Sequence, residues 1–107
     1  MTAAPETVAA AGTIRRVQAL AVAGWPLARV AREVGLSPGR MARLMTATTV
    51  PAATAGLVAD FYDRYSTASP GLHGVSHTAA RAARDRATAA GWAPDAARDN
   101  VPSATRS

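Results

Sequence analysis

A chain of 107 residues suits one small domain, and the absence of cysteine excludes disulfides and a thiolate metal site. Of the 49% hydrophobic residues, 28 are alanine, so large anchors are few; the high helix propensity of alanine makes an all-α fold of about five helices the expectation. All twelve cations are arginines and the net charge is +5, while no apolar run approaches the ~18 residues needed to span a bilayer.

Residues 1–12 read as a flexible leader, and "MTAAPETVAAAG" lacks the basic n-region of a signal peptide. Thr13 is placed to cap a first helix running to about Ala23. Ile14, Val17, Leu20 and Ala21 recur in it at helical spacing, with Arg15, Arg16 and Ala19 outside that stripe. Gly24 suits the left-handed position past its end. A second helix starts at or just after Pro26, which the first turn tolerates. Its inner stripe is Leu27, Val30, Ala31 and Val34, and Gly35 ends it. Ser37 caps a third helix with Pro38 in its first turn and Met41, Leu44 and Met45 on one side. This helix fades in "TATT", residues 46–49.

A fourth helix spans Pro51 to Tyr65, with Leu57, Val58, Phe61, Tyr62 and Tyr65 on one wide face and Asp60–Arg64 as an i,i+4 pair. Residues 66–74, "STASPGLHG", form a loop by composition. Ser76 caps a fifth helix that runs to Ala90 and stops at Gly91, with Trp92 as a bulky anchor. The polar residues 95–107 read as a disordered tail.

The stretch "VAREVGLSPGRMARLM", residues 30–45, carries the functional signal. Two short helices crossing at a steep angle need a small residue at the close approach, a glycine in the turn and apolar flanks. Ala31 is small, Gly35 follows four positions later, and Val30, Val34 and Leu36 flank them. Met41 and Leu44 fall six and nine positions after the glycine. These seven positions agree with the packing register of a helix-turn-helix. The expected organisation is therefore a leader (1–12), a helix-turn-helix unit (13–49), a helical extension completing the core or forming a dimer (50–94), and the tail (95–107).

Charge supports the same segment. Residues 13–46 hold Arg15, Arg16, Arg29, Arg32, Arg40 and Arg43 against Glu33, a net +5, whereas residues 47–107 hold six arginines and five aspartates. A localised basic patch is the footprint of a polyanion binder. A solvated helical face is the plainer explanation of the charge alone.

A wider resemblance covers most of the chain. The runs "VQALAVAGWPLARVAREVGLSPGRMARLM", "VPAATAGLVADFYDRYS" and "AARAARDRATAAGWAPDAARDN" resemble small actinobacterial and actinophage helix-turn-helix proteins. These pair the motif with a "V-x-x-x-T-A" helix and close on "GWAPP-x-AWDD"; Gly91–Pro94 match that ending, and Asp95 and Arg98 depart from it. The resemblance implies DNA binding by a transcriptional regulator of unspecified target, of host or phage origin.

On this reading the third helix enters the major groove of double-stranded DNA, and the residues left outward by its packing stripe are the readers: Ser37, Pro38, Gly39, Arg40, Ala42, Arg43 and Thr46. Arg40 and Arg43 are i,i+3 neighbours able to bond guanine O6 and N7. Ser37, Pro38 and Gly39 are small enough for close backbone approach. Arg15, Arg16, Arg29 and Arg32 suit the DNA backbone, with Arg29 ahead of Arg15 and Arg16, and with Arg32 open to pairing with a carboxylate instead.

The 51–66 helix offers an aromatic stripe for a homodimer, thinly covered by the alanines of the fifth helix; closure by that helix and Trp92 would leave a monomer. His73 and His77 have H-x-x-x-H spacing, but Gly71 and Gly74 argue against one continuous helix there, and loop histidines are the expected reading. No nucleophile elbow or glycine-rich phosphate loop is present, so no enzyme, cofactor, metal or small-molecule ligand is expected. The expected compartment is the cytoplasm, on the nucleoid when DNA is bound. The rival function is a non-catalytic assembly or adaptor role reusing the fold, as in a small phage terminase subunit.

Overall fold

The computed structural model describes residues 6–94. In chain order these form β1 (Thr7–Ala9), α1 (Ala11–Val22), α2 (Leu27–Glu33), α3 (Pro38–Leu44), β2 (Thr49–Pro51), α4 (Ala52–Tyr65), a 3-10 turn (Pro70–His73) and α5 (His77–Ala90). The protein is mostly helical, as its alanine content dictates, but it is not purely so. Strands β1 and β2 pair antiparallel in the register Thr7↔Pro51, Val8↔Val50 and Ala9↔Thr49.

This small sheet changes two expectations. Residues 7–9 lie inside the segment read as a flexible leader. The expected boundary between residues 49 and 50 runs through β2, with Val50 buried and paired to Val8. The tail read at 95–107 lies outside the described residues.

The ladder also starts two helices. The Ala10 amide donates to the Thr48 carbonyl at 3.0 Å, and the Ala52 amide donates to the Glu6 carbonyl at 2.9 Å. Ala10 thus precedes α1 with no side-chain cap, its donor satisfied across the sheet. Thr13, expected to be the cap, is the third residue of α1 and only 2% exposed.

α1 packs against both α4 and α5. Hence it buries more than one stripe: Thr13, Val17, Ala19, Leu20 and Ala21. Ala19, expected outside the stripe, is inside because two neighbouring helices flank α1. α5 turns Ala80, Ala83 and Ala87 inward, which lets its backbone come close.

The centre of the core is Trp25, 1% exposed. Its ring meets the edge of Phe61 at 5.3 Å and 82°, and its indole N–H donates to the Tyr65 carbonyl at 3.1 Å. Tyr65 in turn meets Phe61 in a tilted contact at 4.8 Å and His73 edge-on at 5.0 Å. On the aromatic stripe of α4, Trp25 packs on Phe61 and Tyr65, and His73 on Tyr65, where the alanines of the fifth helix had been expected; Tyr62 is half-buried. Leu57, assigned to that stripe, lies outside it at 49% exposure. Among the described residues, the ion pair within 4 Å is Arg29–Glu33 on α2, and the pair expected at Asp60–Arg64 is not formed. Both of those side chains are exposed, where water competes well with such a contact. No helix of the described residues is long and apolar enough to cross a membrane.

Candidate nucleic-acid interface

The segment 27–46 is built by local rules. α2 ends in a Schellman motif: the Leu36 amide donates to the Ala31 carbonyl at 2.8 Å, and the Gly35 amide donates to that of Arg32 at 3.3 Å. Gly35 sits at φ +78, where a Cβ would be strained. The chain then turns through Ser37, whose hydroxyl accepts from the Arg40 amide at 3.2 Å and caps α3, with Pro38 in the first turn.

Packing sorts the residues of this segment into two sets. Val30, Ala31, Val34, Met41 and Leu44 are buried, and Leu36 is half-buried against the core. Ser37, Pro38, Gly39, Arg40, Ala42, Arg43 and Thr46 are all exposed. The hydroxyls of Ser37 and Thr46 are partly used locally, Thr46 donating weakly to the Arg43 carbonyl at 3.4 Å. What α3 offers outward is therefore two guanidinium groups on a surface of small side chains.

The flanks of α3 differ. On one side, Arg40 and Arg43 border an open cleft of about 330 Å³, closed opposite by Thr49, Val50, Pro51 and Thr54 of β2 and α4. On the other side, Pro38 and Ala42 face α2 across a smaller groove of about 220 Å³.

The remaining arginines are not equivalent. Arg29 is committed inside the protein: its Nε donates to Glu33 Oε2 at 2.8 Å, and its guanidinium lies 5.7 Å from the centre of the Trp25 ring. Glu33 is thus engaged by Arg29, one turn earlier on α2, and the carboxylate pairing left open for Arg32 is not formed within 4 Å among the described residues. Arg32 is exposed, and Arg15 and Arg16 are half-buried on α1. Arg40 and Arg43 are exposed on α3, whereas Arg32 is exposed on α2 beside Gly74, Val75 and Ser76.

Comparison with protein-family models, curated proteins and solved structures finds no match. The chemistry of this surface has to be read from its residues alone.

That chemistry is electrostatic and shape-based. His73 and His77 fall on different elements, on either side of the left-handed Gly74. Among the described residues, no group of three or more His, Cys, Asp or Glu is placed to hold a metal ion. Sequence reading missed Thr49 and Thr54, which face Arg40 and Arg43 across the cleft, because that juxtaposition depends on the β1–β2 ladder. It also missed Trp25. A signal for Trp25 was present: "GWP" at residues 24–26 repeats the glycine, large apolar residue and nearby proline of "GLSP" at 35–38.

Proposed function

We propose that this protein binds double-stranded DNA sequence-specifically through a helix-turn-helix formed by α2 and α3, and acts as a small transcriptional regulator. The observation that carries the reading is the clean division of the α2–α3 segment. Val30, Ala31, Val34, Met41 and Leu44, which such a motif packs, are buried and Leu36 is half-buried, whereas the turn glycine Gly35 and the outward residues Ser37, Pro38, Gly39, Arg40, Ala42, Arg43 and Thr46 are exposed.

Arg40 and Arg43 are the base readers in this proposal, each able to form a bidentate contact to guanine. Ser37, Pro38, Gly39 and Ala42 permit close approach, and Arg32 suits a phosphate. Arg29 is better placed to hold α2 on Trp25 than to reach DNA. A role in assembly without DNA has weaker support: the large apolar residues most exposed, Leu57 and Leu72, lie on separate elements and are ordinary for a protein surface. Phe61 and Tyr65 add no argument for a homodimer, because Trp25 and His73 already pack on them.

Selection of bound sequences from random duplex DNA, followed by titration of Arg40→Ala and Arg43→Ala, tests the proposal. Each substitution is expected to remove ~1–3 kcal/mol of discrimination between the selected site and a mismatched one, with the melting temperature unchanged. Wild-type discrimination in both variants would remove α3 as the reader. Failure of the wild type to associate with any duplex, even at about 50 mM salt, would remove DNA binding altogether.

A further inference from the structure

We infer that Arg86 of α5, outside the α2–α3 segment, contacts the phosphate backbone of bound DNA and completes a two-sided clamp around α3. The inference rests on α3 being the recognition helix.

Arg86 borders two adjoining grooves. The first lies between α2 and α3, where Leu27, Ala28, Pro38 and Ala42 form its walls. The second, about 210 Å³, lies between α5 and α2, with Pro26 and Ala82 on its sides. Leu27, Ala28 and Arg86 are common to both. A cation from the C-terminal helix thus stands at the same opening as two outward residues of α3, and it is exposed.

A helix lying in a major groove has a sugar–phosphate strand on each side of it. α3 meets that geometry asymmetrically with its own residues. One flank carries Arg40 and Arg43. The other presents Pro38 and Ala42 against Leu27 and Ala28, with no charge from the motif itself. Arg29 cannot readily supply it, being held by Glu33 and Trp25. Arg86 places a guanidinium on that bare flank. Its long aliphatic stem suits the alanine-lined groove, and its planar fork suits a phosphate.

The probe is a mixed-sequence duplex, compared with the selected site, titrated by fluorescence anisotropy at salt concentrations between about 50 and 200 mM. Arg86→Ala is expected to lower the slope of log affinity against log salt by about one, the share of one phosphate contact. Over that fourfold range the variant then weakens about 3.5-fold less than wild type. Its affinity falls by a similar factor on both duplexes, because phosphates carry no sequence information. Arg86→Lys keeps the wild-type slope. Arg81→Ala is the control: five residues earlier on α5, it lies about 140° around the helix and leaves the slope unchanged.

All titrations are read below the melting temperatures of the variants, so that the slope counts charges rather than folded fraction. A wild-type slope in Arg86→Ala, or a slope that Arg86→Lys fails to restore, overturns the contact while the proposed function stands. A wild type that binds neither duplex overturns both.

Discussion

Replacing Trp25 by alanine should remove a large part of the stability of the fold. A tryptophan buries ~150–250 Å². At about 25 cal/mol per Å² that is ~4–6 kcal/mol of transfer free energy, an upper bound because the unfolded chain already hides some of it. The edge-on contact with Phe61 adds ~0.5–1.5 kcal/mol, and the indole hydrogen bond about 1. Partial collapse of the cavity offsets some of this, so the expected loss is ~3–5 kcal/mol, the usual range for such truncations. At roughly 0.05–0.15 kcal/mol per residue the whole chain holds only ~5–16 kcal/mol. The melting temperature should therefore fall by ~15 °C or more.

Trp25→Phe separates burial from the hydrogen bond. It keeps most of the ring, and the Tyr65 carbonyl retains a donor in the Ala68 amide at 3.1 Å, so the expected cost is only ~1–2 kcal/mol. Urea titration followed by far-ultraviolet circular dichroism gives both values. A Trp25→Ala variant within about 1 kcal/mol of wild type would refute the placement of Trp25 at the core's centre. Equal losses in the two variants would refute burial as the main contribution.

Ala31, 2% exposed between α2 and its neighbours, tests the close crossing. Ala31→Leu should cost ~1–3 kcal/mol by overpacking and weaken the proposed DNA binding in proportion to unfolding; an unchanged melting temperature would count against the tight approach. Gly35→Ala isolates backbone strain, since nothing lies within 4 Å of the added Cβ, and should cost ~1–2 kcal/mol. At Gly24, φ +105, the added Cβ would also meet Ala80 Cβ and Pro70 Cγ at 3.4 Å, while Arg84 Nη1 at 2.8 Å is a side-chain end that can swing aside, so the urea midpoint of Gly24→Ala should fall further than that of Gly35→Ala; the reverse order would refute this reading.

The parts of the fold legible in the sequence were those fixed by neighbours a few positions apart. Gly35, the Ser37 and Ser76 caps and the buried stripe through Val30, Ala31, Met41 and Leu44 are all consequences of local backbone geometry. The strands were illegible because three residues are too few to show alternation, and their pairing joins positions at least 40 apart with no tight turn between them. Thr13 was misplaced for a related reason. A threonine ahead of an apolar run looks like a cap, but the ladder from Thr48 had already satisfied the chain at Ala10. At the candidate site, Arg40 and Arg43 were legible from register. The engagement of Arg29 with Glu33 was within reach of the i,i+4 rule, whereas its stacking on Trp25 needed the tertiary fold.

The ladder between residues 6–10 and 48–52 gives the chain a neck. α1, α2 and α3 all lie within the loop that this neck closes. Cutting the chain after residue 49 would sever the neck and release both the start of α1 and the exit from α3. The segment that presents Arg40 and Arg43 is therefore not a cassette that can be lifted out at its apparent end. On a ribosome the neck cannot tie until residue 52 has emerged, so the three helices wait for the first residue of α4 before their mutual arrangement is locked.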